Sequence, residues 1–583
     1  MVTVVVEVQL SADVWTDLSA DLNAVSGLRA HYGLTGNRPL DLVAGTGECE
    51  FWLKNHAGNS AATQGYYSPL HASVRAGWTV GIPCRVRFVD GSDAVQSVTA
   101  LTRASSTATA TLVGHGYSTG DYVTIAGADQ SEYTGTAQIA VTDPDTFTYA
   151  VSGTPATPAT GTITAQRCYV KHRGKVRLID PLPGRYGPQL VRVVSYDGMR
   201  DLGEADLREV DLQVNQGEDD LVTAVLDALP SAAQPLARDL DAGVDTHPYA
   251  FDEIGRGTKA LSVLSDIAAS SFALIFMKGD GTLRLQSRNT RAAGASAYTF
   301  ATDSMHGLEV PVDVELLHNL VRVTIHPRTI DAAATTVVYS TTGTVPSVAA
   351  GETLTLWVEY RTPDETRVLI GALDVVSPLV ASTDYAGNAA ADGSGADLTA
   401  DLDVTLTPFA STAKIEIANT GTQTVYLVDG SGNPFLQIRG KGVYDLGPRT
   451  FQAESVQNYG QRPLDVDLPY QSNATIAQSY AIYLQAQYST LVSQLGTLEF
   501  LANDSAAFLT QALAREPGDL ITLSETVTGI AAVEAVIHRV EIELRPGPWM
   551  VCRWLLAPAA PFKAWLLGVV GRSELGTTTR LGF

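Results

Sequence analysis

Residues 75–89 read RAGWTVGIPCRVRFV, and residues 167–179 read RCYVKHRGKVRLI. Both are short runs of β-branched, aromatic and basic residues broken by glycine, the habit of β-strands divided by turns. The second run continues a texture that breaks off near Val95. What separates them is of another kind. Between Ala104 and Gln166 there is no Lys or Arg, Thr, Ala and Gly dominate, and five acids (Asp121, Asp129, Glu132, Asp143 and Asp145) stand alone. Strand-like runs recur there at 107–113, 122–125, 137–141 and 146–151, separated by Gly116, Gly120, Gly127 and Asp143-Pro144-Asp145. The segment therefore reads as a small all-β module inserted in a loop of the first β domain.

Around these runs the chain repeats the pattern. Residues 2–10 are β-branched, CEFWLK at 49–54 is strand-like before an Asn55 turn, and Asp90-Gly91 closes the 75–89 run. A barrel or sandwich pattern results, with a short amphipathic helix expected where Ser11 caps a stretch holding Val14, Trp15 and Leu18. Residues 217–229, GEDDLVTAVLDAL, place Leu221, Val222, Val225, Leu226 and Leu229 at helical spacing, with acids in the first turn and Pro230 as the stop. A second helix is expected over 259–270, leading into a β-hairpin at 272–278 and 282–288 around Gly279-Asp280-Gly281. From 329 to 439 the pattern is again β, with strands at 354–360, 402–406, 414–418 and 423–428. A helix over 473–491 and strands at 494–501, 520–524, 536–544 and 549–557 complete the reading.

Composition narrows the function. The 583 residues carry 62 Asp+Glu against 39 Lys+Arg, a formal charge of −23 that excludes a nucleic-acid coat. Only 17 % of residues are charged, and 51 Gly with 27 Pro argue against coiled coil and charge-rich disorder. At roughly 150 residues per domain, about four domains are expected. Cys49, Cys84, Cys168 and Cys552 lie far apart without a C-x-x-C pair, so they are expected to be reduced, buried and inert. No secretory signal is visible, and the longest apolar stretch, 260–277, is interrupted by Ser262, Ser265, Asp266, Ser270 and Ser271. A soluble protein without a membrane span is expected.

No catalytic, cofactor-binding or metal-ligating residue is assigned. Gly116-Tyr117-Ser118-Thr119-Gly120 matches a nucleophile elbow in form, but it precedes another strand rather than a helix and reads as a turn. The ten histidines are single, without H-E-x-x-H or H-x-H, and His115 and His172 read as surface or hydrogen-bonded residues. Counting from Asp392, a calcium-loop template fails at Ser394, Ala396 and Asp403, leaving a glycine-rich loop. Glu218, Asp219 and Asp220 are explained as a helix N-terminus, and Gly440-Lys441 lacks the glycine and hydroxyl of a phosphate loop.

Several stretches together resemble the tail hub (tail-tip or baseplate hub) proteins of long-tailed bacteriophages. Trp15-Thr16-Asp17-Leu18, Gly45, Phe51-Trp52-Leu53-Lys54-Asn55, Tyr67-Ser68-Pro69 and Arg75-Ala76-Gly77 resemble that family's opening β-domain. Lys259-Ala260-Leu261 through Ala268, with the hairpin at 272–288, resembles its helix-plus-hairpin unit. Ile438-Arg439-Gly440, the run SVQNYGQRPL at 455–464 and Pro469-Tyr470-Gln471 resemble its return into the last domains, and Trp565 to Gly568 with Thr577 to Leu581 adds a C-terminal patch. The 104–166 module, most of all His115-Gly116-Tyr117-Ser118-Thr119-Gly120-Asp121, is similar to a β insertion of phage structural proteins.

The resemblance implies a mainly β, multidomain α+β chain: tube-like β-barrels, a supporting α/β unit and inserted sandwich-like modules. The expected units are a first tube-like barrel (1–97 and 167–210), the inserted module (98–166), a helix-plus-hairpin support (211–328), an all-β insertion (329–439) and a second tube-like domain with a helix (440–583). It further implies a non-enzymatic homotrimer at the virion tail tip, made in the host cytoplasm. Its implied partners are the tail tube or distal tail protein, tail fibres or receptor-binding proteins, and the tape measure protein, with DNA passing through during ejection. An acidic lumen would suit that passage. A carbohydrate-binding adhesin, using the 104–166 and 329–439 units, is the alternative; Trp is absent from 104–166, leaving Tyr117, Tyr122, Tyr133 and Tyr149 as its platform candidates. A cell-wall hydrolase, the third reading, lacks a catalytic constellation.

Overall fold

Alternating sequence does produce strands here, and among the described residues they pair into one large sheet and seven smaller ones. The computed structural model describes residues 2–184, 187–207, 209–255, 257–364, 366–456, 460–489, 495–547 and 549–559. Among the described residues strand takes 43 % and helix 15 %, so the class is mainly β. The C-terminal patch at 565–581, Leu491 of the expected helix and Gln457 to Tyr459 lie outside the described residues.

The largest sheet has 16 strands. Its main path runs Val14–Asp17, Val2–Ser11, Pro83–Asp90, Gly161–Pro181, Leu190–Tyr196, Glu48–Lys54, Leu28–Gly33, Ile530–Arg545, Trp549–Pro558, Thr497–Leu501, Gly307–Leu308. Strands from the two ends of the chain meet where Leu28 lies opposite Leu544 and Gly33 opposite Arg539. Where two tube-like barrels are implied by resemblance, pairing among the described residues shows no closed barrel: it follows this open main path, with side branches at Gly161–Pro181 and Ile530–Arg545. The helix expected after Ser11 is instead the strand Val14–Asp17, folded back so that Trp15 lies opposite Gln9. Asp13, at φ 60°, makes the turn, and a β-branched residue followed by tryptophan favours a short strand over a helix too short to nucleate. The 75–89 run forms a strand only from Pro83 to Asp90; Gly77 and Gly81 have φ of +78° and +87°, which only glycine adopts without strain.

Both insertions leave and return through neighbouring strands. Pro83–Asp90 pairs with the 21-residue strand Gly161–Pro181, Phe88 opposite Tyr169, so the chain between them makes an excursion and comes back beside its point of departure. The first half of Gly161–Pro181 pairs with Tyr122–Ala128 and the second half with Pro83–Asp90, so one strand serves both sheets. Leu101, Ala110, Val123, Ile125, Tyr133 and Phe147 form a core confined to this excursion. Likewise Ile325 lies opposite Arg449, and everything between departs from that pair. There Thr353–Glu359, Thr412–Asn419 and Leu402–Pro408 form an antiparallel sheet over a core of Val358, Tyr360, Ile415, Ile417 and Ile438. The strand expected over 423–428 shortens to Val425–Tyr426.

A separate core gathers most of the helices, while helix Ala506–Ala514 packs into the core of the large sheet through Leu509, Ala512 and Leu513. Helix Glu218–Asp227 buries Leu221, Val222, Val225 and Leu226; helix Ala260–Ser271 buries Val263, Leu264 and Ile267 and leads into the hairpin Leu274–Met277 and Thr282–Gln286. Helix Ala474–Tyr488 starts at Asn473, whose Oδ1 accepts from the Thr475 N–H at 2.9 Å. It packs here, through Ala477, Tyr480 and Leu484, because the parallel pairing of Pro463–Leu468 with Leu320–Ile325 delivers it to this core.

Asp197 connects this core to the large sheet. Its Oδ1 caps helix Gly198–Glu204 by accepting from Met199 N–H at 3.1 Å, and its own N–H donates to Gly47 O at 3.0 Å. Burial raises its carboxyl pKa to about 7 despite the lowering effect of backbone hydrogen bonds from Gly47 and Met199 to the carboxylate. A carboxyl raised in the folded state contributes stability that is complete below pH ~4 and is lost as pH rises through about 7. Asp197→Asn keeps the cap and removes the titration. The variant is expected to gain on the order of 1–3 kcal/mol over the parent at pH 8 and nothing at pH 4, read from denaturation midpoints across that range.

Candidate functional surface: the charged face of the joined sheet

Period-two alternation gives the large sheet two faces of different chemistry. Ala30, Tyr32, Cys49, Phe51, Val191, Val193, Val540, Ile542, Cys552, Trp554, Leu498 and Phe500 point into one core. Their neighbours Arg29, Glu48, Glu50, Arg192, Arg539, Glu541, Glu543, Arg545, Arg553 and Glu499 occupy the other face. Cross-strand register places Arg29 opposite Glu50 and Glu543, Glu541 opposite Arg553, and Arg553 opposite Glu499.

All five arginines on this face are paired. Arg553 reaches Glu499 at 2.6 Å and both Glu541 and Glu543 at 2.8 Å. Arg29 meets Glu541 at 3.0 Å, Arg545 meets Glu543 at 2.9 Å, and Arg192 meets Glu50 at 2.5 Å. Arg545, with help from Arg553, holds the Glu543 carboxyl down at about 2 against the opposing effect of burial. Burial, reinforced by Arg539, lowers the His31 imidazole to about 4, so it is neutral at pH 7. Exposed pairs contribute only about 0–1 kcal/mol each, so the network's main effect is to fix register and neutralise the face. Cations and anions are equal in number among the ten residues named. The acidic excess of the chain does not lie here.

At its N-terminal side the face is covered. Glu7 accepts from Arg85 at 2.7 Å and from Arg87 at 3.1 Å, and the Arg85 guanidinium lies 4.2 Å from the Trp15 ring centroid. The inserted module closes over them, with Thr136 O and Thr124 Oγ1 each 3.4 Å from a guanidinium nitrogen. Farther along, Lys171 is 1 % exposed and donates to Glu516 Oε1 at 2.7 Å, Arg515 O at 2.8 Å and Tyr32 OH at 3.3 Å. Glu516 Oε2 accepts from Gly279 N–H at 3.1 Å, so one ion pair ties the N-terminal strands, the C-terminal segment and the helical core together.

The candidates raised by sequence resolve individually. Gly116 to Gly120 form a turn in which Ser118 N–H donates to Asp121 Oδ2 at 2.9 Å, and a strand follows. His115 is buried, its Nδ1 accepting from Tyr117 N–H at 2.9 Å; His172 is buried 2.8 Å from Ser195 Oγ. Asp392 Oδ1 accepts from both the amide and the hydroxyl of Ser394, and Asp397 does the same for Thr399. Among the described residues no three His, Cys, Asp or Glu side chains are placed to hold a metal. All four cysteines are buried and free, and burial pushes Cys84 and Cys552 up to about 12, which suppresses the reactive thiolate. Tyr117, Tyr133 and Tyr149 are buried in the insertion's core, which removes them as a sugar platform. Among the described residues no helix is long and apolar enough to cross a membrane.

No family model and no curated protein matches the chain. Solved structures with a similar course include a 43 kDa tail protein of prophage MuSo2 from Shewanella oneidensis, at 8 % identity and TM-score 0.43, covering 96 % of this chain and 97 % of that one. A tail protein from Neisseria meningitidis MC58 gives 8 % identity and TM-score 0.44, with 96 % of each chain covered. The prophage tail protein gp18 from Listeria monocytogenes gives 7 % identity and TM-score 0.35 over 95 % of this chain and 94 % of that one.

Proposed function

We propose that this chain is a structural virion protein, the trimeric tail hub of a long-tailed phage. It joins the tail tube or distal tail protein to the receptor-binding proteins or fibres at the tip, adjoins the tape measure protein, and forms part of the conduit through which DNA leaves. The observation that carries this reading is the single sheet gathered from both ends of the chain, apolar inward and charge-paired outward. A stiff wall with one polar face is what a tube subunit needs, and the resemblance of the N-terminal, helix-plus-hairpin and 438–471 stretches supplies the family. Units 1–97 with 167–210, 98–166, 211–328, 329–439 and 440–583 are the division that goes with it. Native mass measurement of the purified chain is expected to give three copies; a single copy at every concentration would count against the hub.

A wall that DNA slides past must not offer free cations, since each phosphate contact releases counterions and adds salt-dependent affinity. An acidic lumen is one solution. A wall whose arginines are already held by carboxylates is another, and it is the one this face supports. The triple variant Glu499→Gln, Glu541→Gln, Glu543→Gln strips Arg553 of its partners. It is expected to retain a short DNA duplex at ~50 mM salt and release it by ~200 mM, whereas the parent retains none; retention by the parent would refute the non-stick wall.

A further inference from the structure

The 326–448 excursion carries a groove unrelated to the charged sheet. On the outer side of its three-stranded sheet the residues are Thr353, Thr355, Trp357 and Glu359 on one strand, Lys414 and Glu416 on the next, and Asp403, Thr405 and Thr407 on the third. Trp357 is out of place among them. It is 38 % exposed, and its ring lies nearly parallel to Phe409, 13° between planes and 5.9 Å between centroids. An indole held flat at the surface by a second aromatic ring is a shelf, apolar on its face and polar at its N–H.

The shelf borders an open groove of about 630 Å³, within the size of small-ligand sites. Tyr339, Ser340, Thr341 and Thr342 form one bank, Glu359, Arg361 and Arg367 the other. The bank is built in advance: Asp364 Oδ1 accepts from the hydroxyls of Thr362 and Thr366 and from the Arg367 N–H, and Arg361 donates to Arg367 O at 2.9 Å and to Glu359 at 2.5 Å. Arg367 itself sits at φ 46°, a left-handed conformation costly for a non-glycine residue and characteristic of binding loops. Its side chain is exposed and makes no ion pair among the described residues, in contrast to Arg361 beside it.

We infer that this groove binds a saccharide bearing an anionic substituent: one sugar ring lies on Trp357, its hydroxyls are met by the threonine bank and Glu359, and its carboxylate or phosphate is met by Arg367. An apolar ring face, many hydroxyls and one negative charge match a flat aromatic, short hydroxyl and carboxylate side chains, and one uncommitted guanidinium. The inference does not depend on where the chain sits in a tail.

The test uses the full chain and two probes of equal length, a tetramer of galacturonic acid and a tetramer of galactose, with binding followed by tryptophan fluorescence and calorimetry. The uronic acid tetramer is expected to bind at least tenfold more tightly than the neutral one. Trp357→Ala is expected to weaken both by tenfold or more, with unchanged circular dichroism because the ring is at the surface. Arg367→Ala is expected to bring the acidic probe down to the neutral one's affinity and leave the neutral one unmoved. Binding of neither probe, equal binding of both by the parent, or binding that survives Trp357→Ala would overturn the assignment.

Discussion

Arg288→Ala is expected to cost roughly 3–5 kcal/mol and to open the helical core ahead of the rest of the molecule. Arg288 follows the strand Thr282–Gln286 closely and is 8 % exposed. Its two terminal nitrogens engage the Asp245 carboxylate at 2.6 and 2.8 Å, and one also donates to Ser271 O at 2.9 Å and Tyr480 OH at 3.2 Å. Burial works against the guanidinium's charge, and the Asp245 carboxylate more than offsets it. Truncation strands Asp245, whose side chain is 7 % exposed, and frees the end of helix Ala260–Ser271 from helix Ala474–Tyr488. Lysine cannot reproduce a planar two-point contact, so Arg288→Lys should recover less than half of the loss. With several cores in one chain a single unfolding midpoint is poorly defined. Hydrogen exchange is the better reading: amides of those two helices should lose ~100-fold or more of their protection while the 353–419 sheet keeps its own. Uniform or absent change would show that the pair does not hold this core.

Glu516→Ala is expected to cost about 3 kcal/mol, because it leaves the Lys171 ammonium in the interior with only neutral acceptors. Glu516 is itself held above the usual carboxylate range by burial, which Lys171 only partly relieves. The pair is thus an uneasy one, and removing both charges should be easier on the fold than removing one. The double variant Lys171→Met, Glu516→Leu is expected to recover at least half of the single variant's loss, seen in denaturant midpoints of the terminal strands. A double variant as unstable as Glu516→Ala would mean that the loss comes from packing and not from a stranded charge.

Local structure was legible because its causes are local. The 217–229 and 259–270 helices carry their own spacing and stops, the 279–281 turn its own glycines, and ECEFWLK its own alternation. What escaped is what depends on distant partners. Ser11 to Leu18 has helical spacing of apolar residues, yet Trp15 finds Gln9 across a turn and Arg85 beyond it. HRVEIELR at 538–545 announces a strand, but nothing in it announces Leu28–Gly33 as its neighbour. The charged face has the same status. Each arginine and glutamate is visible as an alternating residue, while the pairing of Arg553 with three glutamates from two strands follows only from register. Lys171 and Glu516 stand 345 positions apart, and no spacing rule spans that. The groove beside Trp357 was hidden similarly: the tryptophan reads as one more strand aromatic until its neighbours prove to be threonines, a lysine and glutamates.

The seam between Leu28–Gly33 and Ile530–Arg545 sets a timetable for making the protein. A ribosome adding 5–20 residues per second needs roughly 25–100 s to deliver the second strand after the first. Glu48–Lys54 covers one edge of Leu28–Gly33 within seconds, but the other edge shows bare N–H and C=O groups for the whole interval. Two nascent chains on one message are then competitors for the same edge. Late arrival of the correct strand makes expression temperature and holdase supply, more than the stability of the finished molecule, the factors that decide its yield.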